Sequence, residues 1–268
     1  MSFREFLCLS SGDRVPDSRT IWLFQENMIQ RNLGEKLFEQ FHGYLTHLGL
    51  FINEGKIVDA SFVEVPRQRN RKEENEKIKA GKGGQLWNDQ PKKQRQKDID
   101  ARWTQKGGQK FFGYKDHAKI DTKSKLIDTY EVTSAEVHDS QLVETLIRDG
   151  DVGQELHADS AYIGEPIDKM LKEKGIVPQI IERAFKGKPL TDEQKESNRI
   201  KSKVRCRVEH AFGFVTNNMQ DFYIQSIGFK RAKGIIGLIN LVYNMCRYEQ
   251  IMRLKLLPVN KNKLMIYR

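Results

Sequence analysis

Two strand-like stretches, FFGYKDHAKID and LIDTYEVTSAEV, meet at a turn over Asp121 to Ser124, and everything after them alternates helix with strand. That change of rhythm restricts the topology more than any other feature of the chain. Both stretches are rich in β-branched and aromatic residues bounded by turn formers. Upstream, KIVDASFVEV has the same character, so the first three strands are expected to form an antiparallel meander. Downstream, HDSQLVETLIRDG is predicted as a helix ended by Gly150, and ELHADSAY as a short strand. EPIDKMLKEKG is a helix with Pro166 in its first turn and Gly175 at its end, and GIVPQIIE is a strand. One long helix is expected from Thr191 to Met219, with Val204, Val208, Ala211 and Val215 on one face. Strands separated by crossover helices pair in parallel, so the sheet should be mixed.

Ahead of the strands, Ser18 to Leu48 reads as two helices, the first capped by Asp17 or Ser18, with Ile21, Phe24, Met28 and Ile29 at helical spacing. A chain of 268 residues with 38% hydrophobic content can bury a core. Cys8, Cys206 and Cys246 lack paired spacing, which argues against a disulfide framework or zinc module and fits a reducing compartment. The longest apolar run, Ile235 to Cys246, is interrupted by Gly237, Asn240 and Asn244 and is shorter than the roughly 18 residues a membrane span needs. A cytoplasmic setting is the expectation.

The net charge of +10 is unevenly placed. Residues 1–63 hold 6 basic and 8 acidic side chains, and residues 64–120 hold 16 and 8. Residues 121–185 hold 7 and 14, and residues 186–268 hold 17 and 6. A polyanion is expected to meet the second and fourth blocks, because Lys and Arg contacts to phosphate supply most non-specific affinity for nucleic acid. In the second block, glycines at 81, 83, 84, 107 and 108, together with Pro91, Trp87 and Trp103, read as a flexible DNA-contacting arm without regular structure. A solvated surface is the ordinary alternative.

Three acids stand out: Asp59 in the first strand, Asp159 at the end of ELHAD, and Glu209 on the long helix. Strands, then alternating helices and strands, with acids at those places, is the pattern of an RNase H-like domain: a mixed five-stranded sheet flanked by helices. The expected division is a helical N-terminal region over 1–52, a catalytic domain over 53–256 with a basic insertion at about 65–108, and a basic tail over 257–268. Hard oxygen ligands at three such points suit magnesium or manganese, with two ions about 3.5 to 4 Å apart in an in-line phosphoryl displacement.

The blocks VDASFVEVPRQRNRKEEN, QKDIDARWTQKGGQKFFGYKDHAKID, YEVTSAEVHDSQ, HADSAYIG, SNRIKSKVRCRVEHAFGFV and GLINLVYNMCRYEQ, in that order, resemble the bacterial insertion-sequence transposases of the IS-five family, which carry a DDE catalytic domain. The resemblance covers about Phe3 to Leu256. It implies that Asp59, Asp159 and Glu209 are the catalytic and metal-binding triad. It also implies cleavage of double-stranded DNA at terminal inverted repeats, transfer of the 3′-hydroxyl strand into target DNA, and at least a dimer on DNA at the bacterial nucleoid. Candidate DNA contacts are Arg67, Arg69, Arg71, Lys92, Lys93, Arg95, Lys97, Lys203, Arg205 and Arg207.

The family signature around the glutamate runs Tyr, two residues, Arg, three residues, Glu, six residues, Lys. Here those positions hold Ser202, Arg205, Glu209 and Thr216. Arg205 is left as the phosphate or carboxylate partner, and Lys203 or Arg207 would stand in for the lysine. Relatives carry a longer helical N-terminal region, so a truncated copy that binds DNA without cutting it, and a nuclease without strand transfer, are the alternative readings. Each acid also has an ordinary reading: Asp59 as a strand-end charge, Asp159 as a helix cap, and Glu209 with Arg205 as a helix ion pair. His138 is expected to cap a helix. His157 would share the face of Asp159, and His210 points about 100° from Glu209.

Overall fold

The structure, a computed structural model, describes residues 3–10, 12–219 and 222–258. Its centre is a six-stranded mixed sheet. Strand β1 (Lys56–Glu64) lies between β3 (Gln109–Asp121) and β5 (Glu155–Ala158), with β2 (Arg102–Lys106) and β4 (Ile127–Ser134) on β3 and β6 (Val177–Ile180) on β5. The antiparallel register between β1 and β3 runs from Lys56↔Asp121 to Glu64↔Gly113. The pairs β1–β5 and β5–β6 are parallel. The meander followed by parallel strands is therefore the expected topology. The sixth strand is a correction: RWTQK and QKFFG pair across Gly107 and Gly108, so those glycines form a tight hairpin turn instead of marking a loop.

Helices α1 (Ser18–Gln30) and α2 (Leu33–His47) precede the sheet, and Asp17 caps the first by accepting from the Thr20 amide at 2.7 Å. The basic insertion is also ordered. It holds α3 (Lys72–Lys79), a helical turn at Pro91–Gln94 and β2. Its small core of Ile78, Leu86 and Trp87 is tied by Glu74, which accepts from the Trp87 indole and from Lys93, both at 2.8 Å. Trp87 thus closes a folded unit, and the expectation of an irregular arm is overturned.

After β4, the segment expected to be a helix makes only a 3-10 turn at Asp139–Leu142 and a single turn at Val143–Leu146, opened by His138 as cap. Val143 and Leu146 drop into the core, and the chain leaves in extended form at Ile147, which stops the helix. Helix α4 (Glu165–Glu173) then connects β5 to β6. The single long helix expected next is two: α5 (Asp192–Arg205) and α6 (Val208–Asn218). Helix α5 buries no residue, whereas α6 lays Val208, Ala211 and Val215 on the sheet, so the chain must change direction. A run of i→i−3 bonds does so: Arg207 to Val204, Glu209 to Cys206 and His210 to Arg207.

Helix α7 (Phe229–Leu254) crosses the same face. The residues that interrupt its apolar run are contact points. A Cβ on Gly237 would lie 2.4 Å from the Tyr130 hydroxyl, and Asn244 both accepts from and donates to the Ile127 backbone at 2.8 Å. Among the described residues no helix is long and apolar enough to cross a membrane. One core joins Ile57, Val63, Ala118 and Ile120 to α6 and α7, and a second joins Val58, Leu156 and Ala158 to Tyr162 and Leu171 on the other face. The N-terminal helices are locked to the sheet by buried ions. Asp128 lies 2.7 Å from His42 Nε2, 3.0 Å from Lys119 Nζ and 3.6 Å from Lys56 Nζ, and Lys119 also pairs with Asp151.

Candidate active site

Strands β1 and β5 pair at only two places, Lys56↔Leu156 and Ile57↔His157. Two residues past the second pair come Asp59 on one strand and Asp159 beyond the end of the other. Because side chains alternate with a period of two, the register brings both carboxylates to one face where the strands separate. A crevice at the carboxyl ends of parallel strands is the usual place for a ligand in an α/β sheet.

Asp59 is mostly buried. Its Oδ2 accepts from Arg205 Nη1 at 2.8 Å and its Oδ1 from the Ala60 amide at 2.9 Å. Burial pushes its carboxyl above the ordinary value, and the negative charge of Asp159 adds to that push. The Ala60 bond, Arg205 and Lys106 pull the other way. Asp159 accepts from the Ala161 amide at 2.8 Å and so caps the 3-10 turn Ser160–Tyr162, as its ordinary reading required, while standing at the acid pair.

Glu209 lies in the first turn of α6 with its side chain 69% exposed, 3.6 Å from Arg205 Nη2. Arg205 therefore stands between the two acids. Among the described residues no group of three His, Cys, Asp or Glu side chains is close enough to hold a metal ion. The donor set fits a hard divalent cation at the aspartate pair, where the charge of Asp159 helps to push the Asp59 carboxyl up and an ion would relieve that push. Glu209 stands apart from that pair, on Arg205.

A family model described as the transposase DDE domain matches residues 52–245. The chain belongs to the DDE transposase family. The match spans β1 to α7 and so contains both aspartates and the glutamate of this transposase domain. A domain of this family is a transposase-type nuclease, a nucleic-acid-cleaving unit that acts on DNA, and divalent metals such as magnesium serve its members generally.

The remaining sequence expectations distribute unevenly over the transposase. Arg67, Arg69, Arg71, Lys92, Arg95 and Lys203 are exposed, whereas Lys93 is bound to Glu74 and Lys97 donates to the Arg69 carbonyl and Asn70 at 2.7 Å. Arg207 donates to the Thr122 carbonyl at 3.3 Å. His157 is buried with Nε2 3.2 Å from Glu155, and His210 is exposed. Ser202 and Thr216 are exposed.

Two residues at the site escape a sequence reading. Tyr162 is buried with its hydroxyl unpartnered, and the charges of Asp139, Asp59 and Asp159 add to the effect of burial in holding its phenol proton on. Its only signal is a position three residues after Asp159. Lys106 is the other, hidden by the loop reading of the glycines that follow it.

Proposed function

We propose that this chain is an insertion-sequence transposase of the IS-five kind. It cleaves phosphodiester bonds at the element's terminal inverted repeats and transfers the freed 3′-hydroxyl strand to target DNA. Asp59, Asp159 and Glu209 are the catalytic acids and the ligands of two magnesium or manganese ions. The observation that carries this reading is the register of β1 and β5, which leaves Asp59 and Asp159 side by side where the strands part.

Divalent ions at these carboxylates supply Lewis-acid polarisation of the phosphate and of the attacking oxygen. The protein's own contribution is placement. The Ala60 amide fixes one oxygen of Asp59, the Ala161 amide fixes one of Asp159, and both aspartates are carried by a buried sheet. Arg205 lends positive charge beside the scissile phosphate once it leaves Asp59.

A second reading, a DNA-binding copy that does not cut, is favoured by the ion pairing of Arg205 with Asp59 and Glu209 and by Thr216 at the lysine position of the family signature. One assay separates them: labelled DNA bearing the terminal repeats, incubated with protein and magnesium. Joined products support transposition, and cleavage without joining makes the protein a nuclease. A mobility shift without either leaves only the binder.

A further inference from the structure

The β2–β3 hairpin is bent back over β1. In a flat sheet it would run on from β1's last partner, Gly113, away from the acids. Phe62 pairs with Lys115, six residues along β3 from Gln109, the partner of Lys106, a separation of about 20 Å at the rise of a strand. Yet Lys106 Nζ lies 5.9 Å from the centre of the Phe62 ring, and Phe111 stacks on that ring with centroids 4.3 Å apart and planes inclined by 10°.

The bend is at Gly113. Its φ is 152°, and a Cβ there would lie 2.1 Å from the Val63 carbonyl, so only glycine allows the crossing. Phe62 and Phe111 are thus an anchor, and the turn they hold carries Lys106 toward Asp59.

What the hairpin then presents has one chemical sense. From Arg102 to Gly113 it carries three basic and no acidic side chains. Trp103 is 46% exposed and forms, with Thr104, Gln105 and Lys110, an open groove of about 450 Å³. Arg67 lies 5.8 Å from the centre of the Trp103 ring, and a half-exposed aromatic flanked by the exposed cations Arg67 and Lys110 suits an unpaired base and its phosphates. A duplex hides its base faces and offers Trp103 nothing to stack on.

We propose that this hairpin is a seat for single-stranded DNA, with a base stacked on Trp103, a phosphate met by Lys110 on the same face, and the strand carried over the hairpin's tip to Lys106 on the opposite face, the one turned to Phe62. The seat holds the strand end next to the bond being cut, and in this it rests on the transposase reading above. Stacking of one base and loss of one or two phosphate contacts set the scale of the effect at about fivefold or more in affinity.

The test is fluorescence anisotropy in EDTA with the full chain, using a labelled oligo-dT strand and a blunt duplex as probes. Trp103→Ala and the double change Lys106→Gln with Lys110→Gln, all at exposed positions, are compared with Lys77→Gln plus Lys79→Gln on α3 as a charge-matched control. The expected result is a loss of about fivefold or more on the single strand and less than about twofold on the duplex for the hairpin variants only. Equal losses on both probes, or unchanged affinity, would overturn the hairpin seat and leave the transposase reading intact. Wild-type protein that binds neither probe would overturn both.

Discussion

Arg205 donates to Asp59 at 2.8 Å while its other terminal nitrogen lies 3.6 Å from Glu209. One guanidinium thus holds two of the three acids, in the space where a divalent ion would draw them together. A metal ion at Asp59 would compete with the arginine for the same oxygen. Arg205→Gln is therefore expected to raise manganese affinity about tenfold, near 1.4 kcal/mol, while lowering cleavage by a similar factor or more. Manganese titration followed by electron paramagnetic resonance reads the first effect. Weaker manganese binding in the variant would show that Arg205 supports the metal site instead of competing for it.

Asp59→Ala, Asp159→Ala and Glu209→Ala are each expected to reduce strand cleavage by at least about a hundredfold with DNA affinity within about twofold of wild type. Gel assays of cleavage and mobility on the same labelled ends check both halves. A variant that still cuts at the wild-type rate removes its residue from the triad.

The exposed and the bound cations of the insertion should behave differently. Lys92→Ala with Arg95→Ala is expected to lower the slope of log affinity against log salt by about two, with unchanged stability. Lys93→Ala with Lys97→Ala breaks contacts to Glu74, Arg69 and Asn70 and is expected to lower the melting temperature of the insertion. Matched salt titrations and thermal melts compare the two pairs, and the same response from both would return these positions to a common role.

Asp128→Asn removes the charge that Lys119, Lys56 and His42 surround. Burial alone would raise the Asp128 carboxyl, but the His42 contact and the two lysine charges outweigh it and hold the group below its ordinary value. Loss of the carboxylate leaves buried cations underpaired, at a cost of about 3 to 5 kcal/mol. Urea unfolding followed by circular dichroism measures it. A loss under about 1 kcal/mol would mean that the lysines find other partners.

Asp116 gives a pH dependence of its own. Burial pushes its carboxyl up to about 7, against the hydrogen bond from Asn240 at 3.2 Å and with help from the charge of Glu131. Between the ordinary value of 3.8 and about 7, the folded chain keeps a proton that the unfolded chain has released. Stability from this group is therefore full below the lower value and falls as pH rises through that window. Asp116→Asn is expected to flatten the fall and to gain on the order of a few kcal/mol near pH 8, where the new amide can donate to the unpartnered Asn240 oxygen. Denaturant midpoints from about pH 4 to 8 test the slope, and parallel profiles for the two proteins would refute it.

The meander, Asp59 within a strand, Asp159 just past the end of another and the capped α1 are legible in the sequence because each rests on local rules: strand composition, turn chemistry and capping. What is not legible depends on distant neighbours. Gly107 and Gly108 read as breakers in an irregular arm, and the hairpin they turn shows only in the pairing of β2 with β3 and in Phe111 seated on Phe62. The break between α5 and α6 follows from which residues the sheet can cover, and Val204 continues the apolar stripe of α6 without being buried with it. Asn240 and Asn244 look like flaws in an apolar run, yet they answer polar groups more than a hundred positions away in the chain. The spacing of Arg205 and Glu209 announces an ion pair, but the third member, Asp59, lies on another element.

The early parting of β1 from β5 also leaves backbone onto which a second copy could pair. From Val58 to Val63 the central strand has, among the described residues, a flank without a neighbouring strand, the kind of edge onto which a foreign strand can add. Asp59 guards it by turning its carboxylate onto the Ala60 amide, and Asp159 places a second negative charge in the gap. Replacing both acids with apolar residues would then do more than remove charge from the crevice: it would leave an opening through which one copy could aggregate with the next.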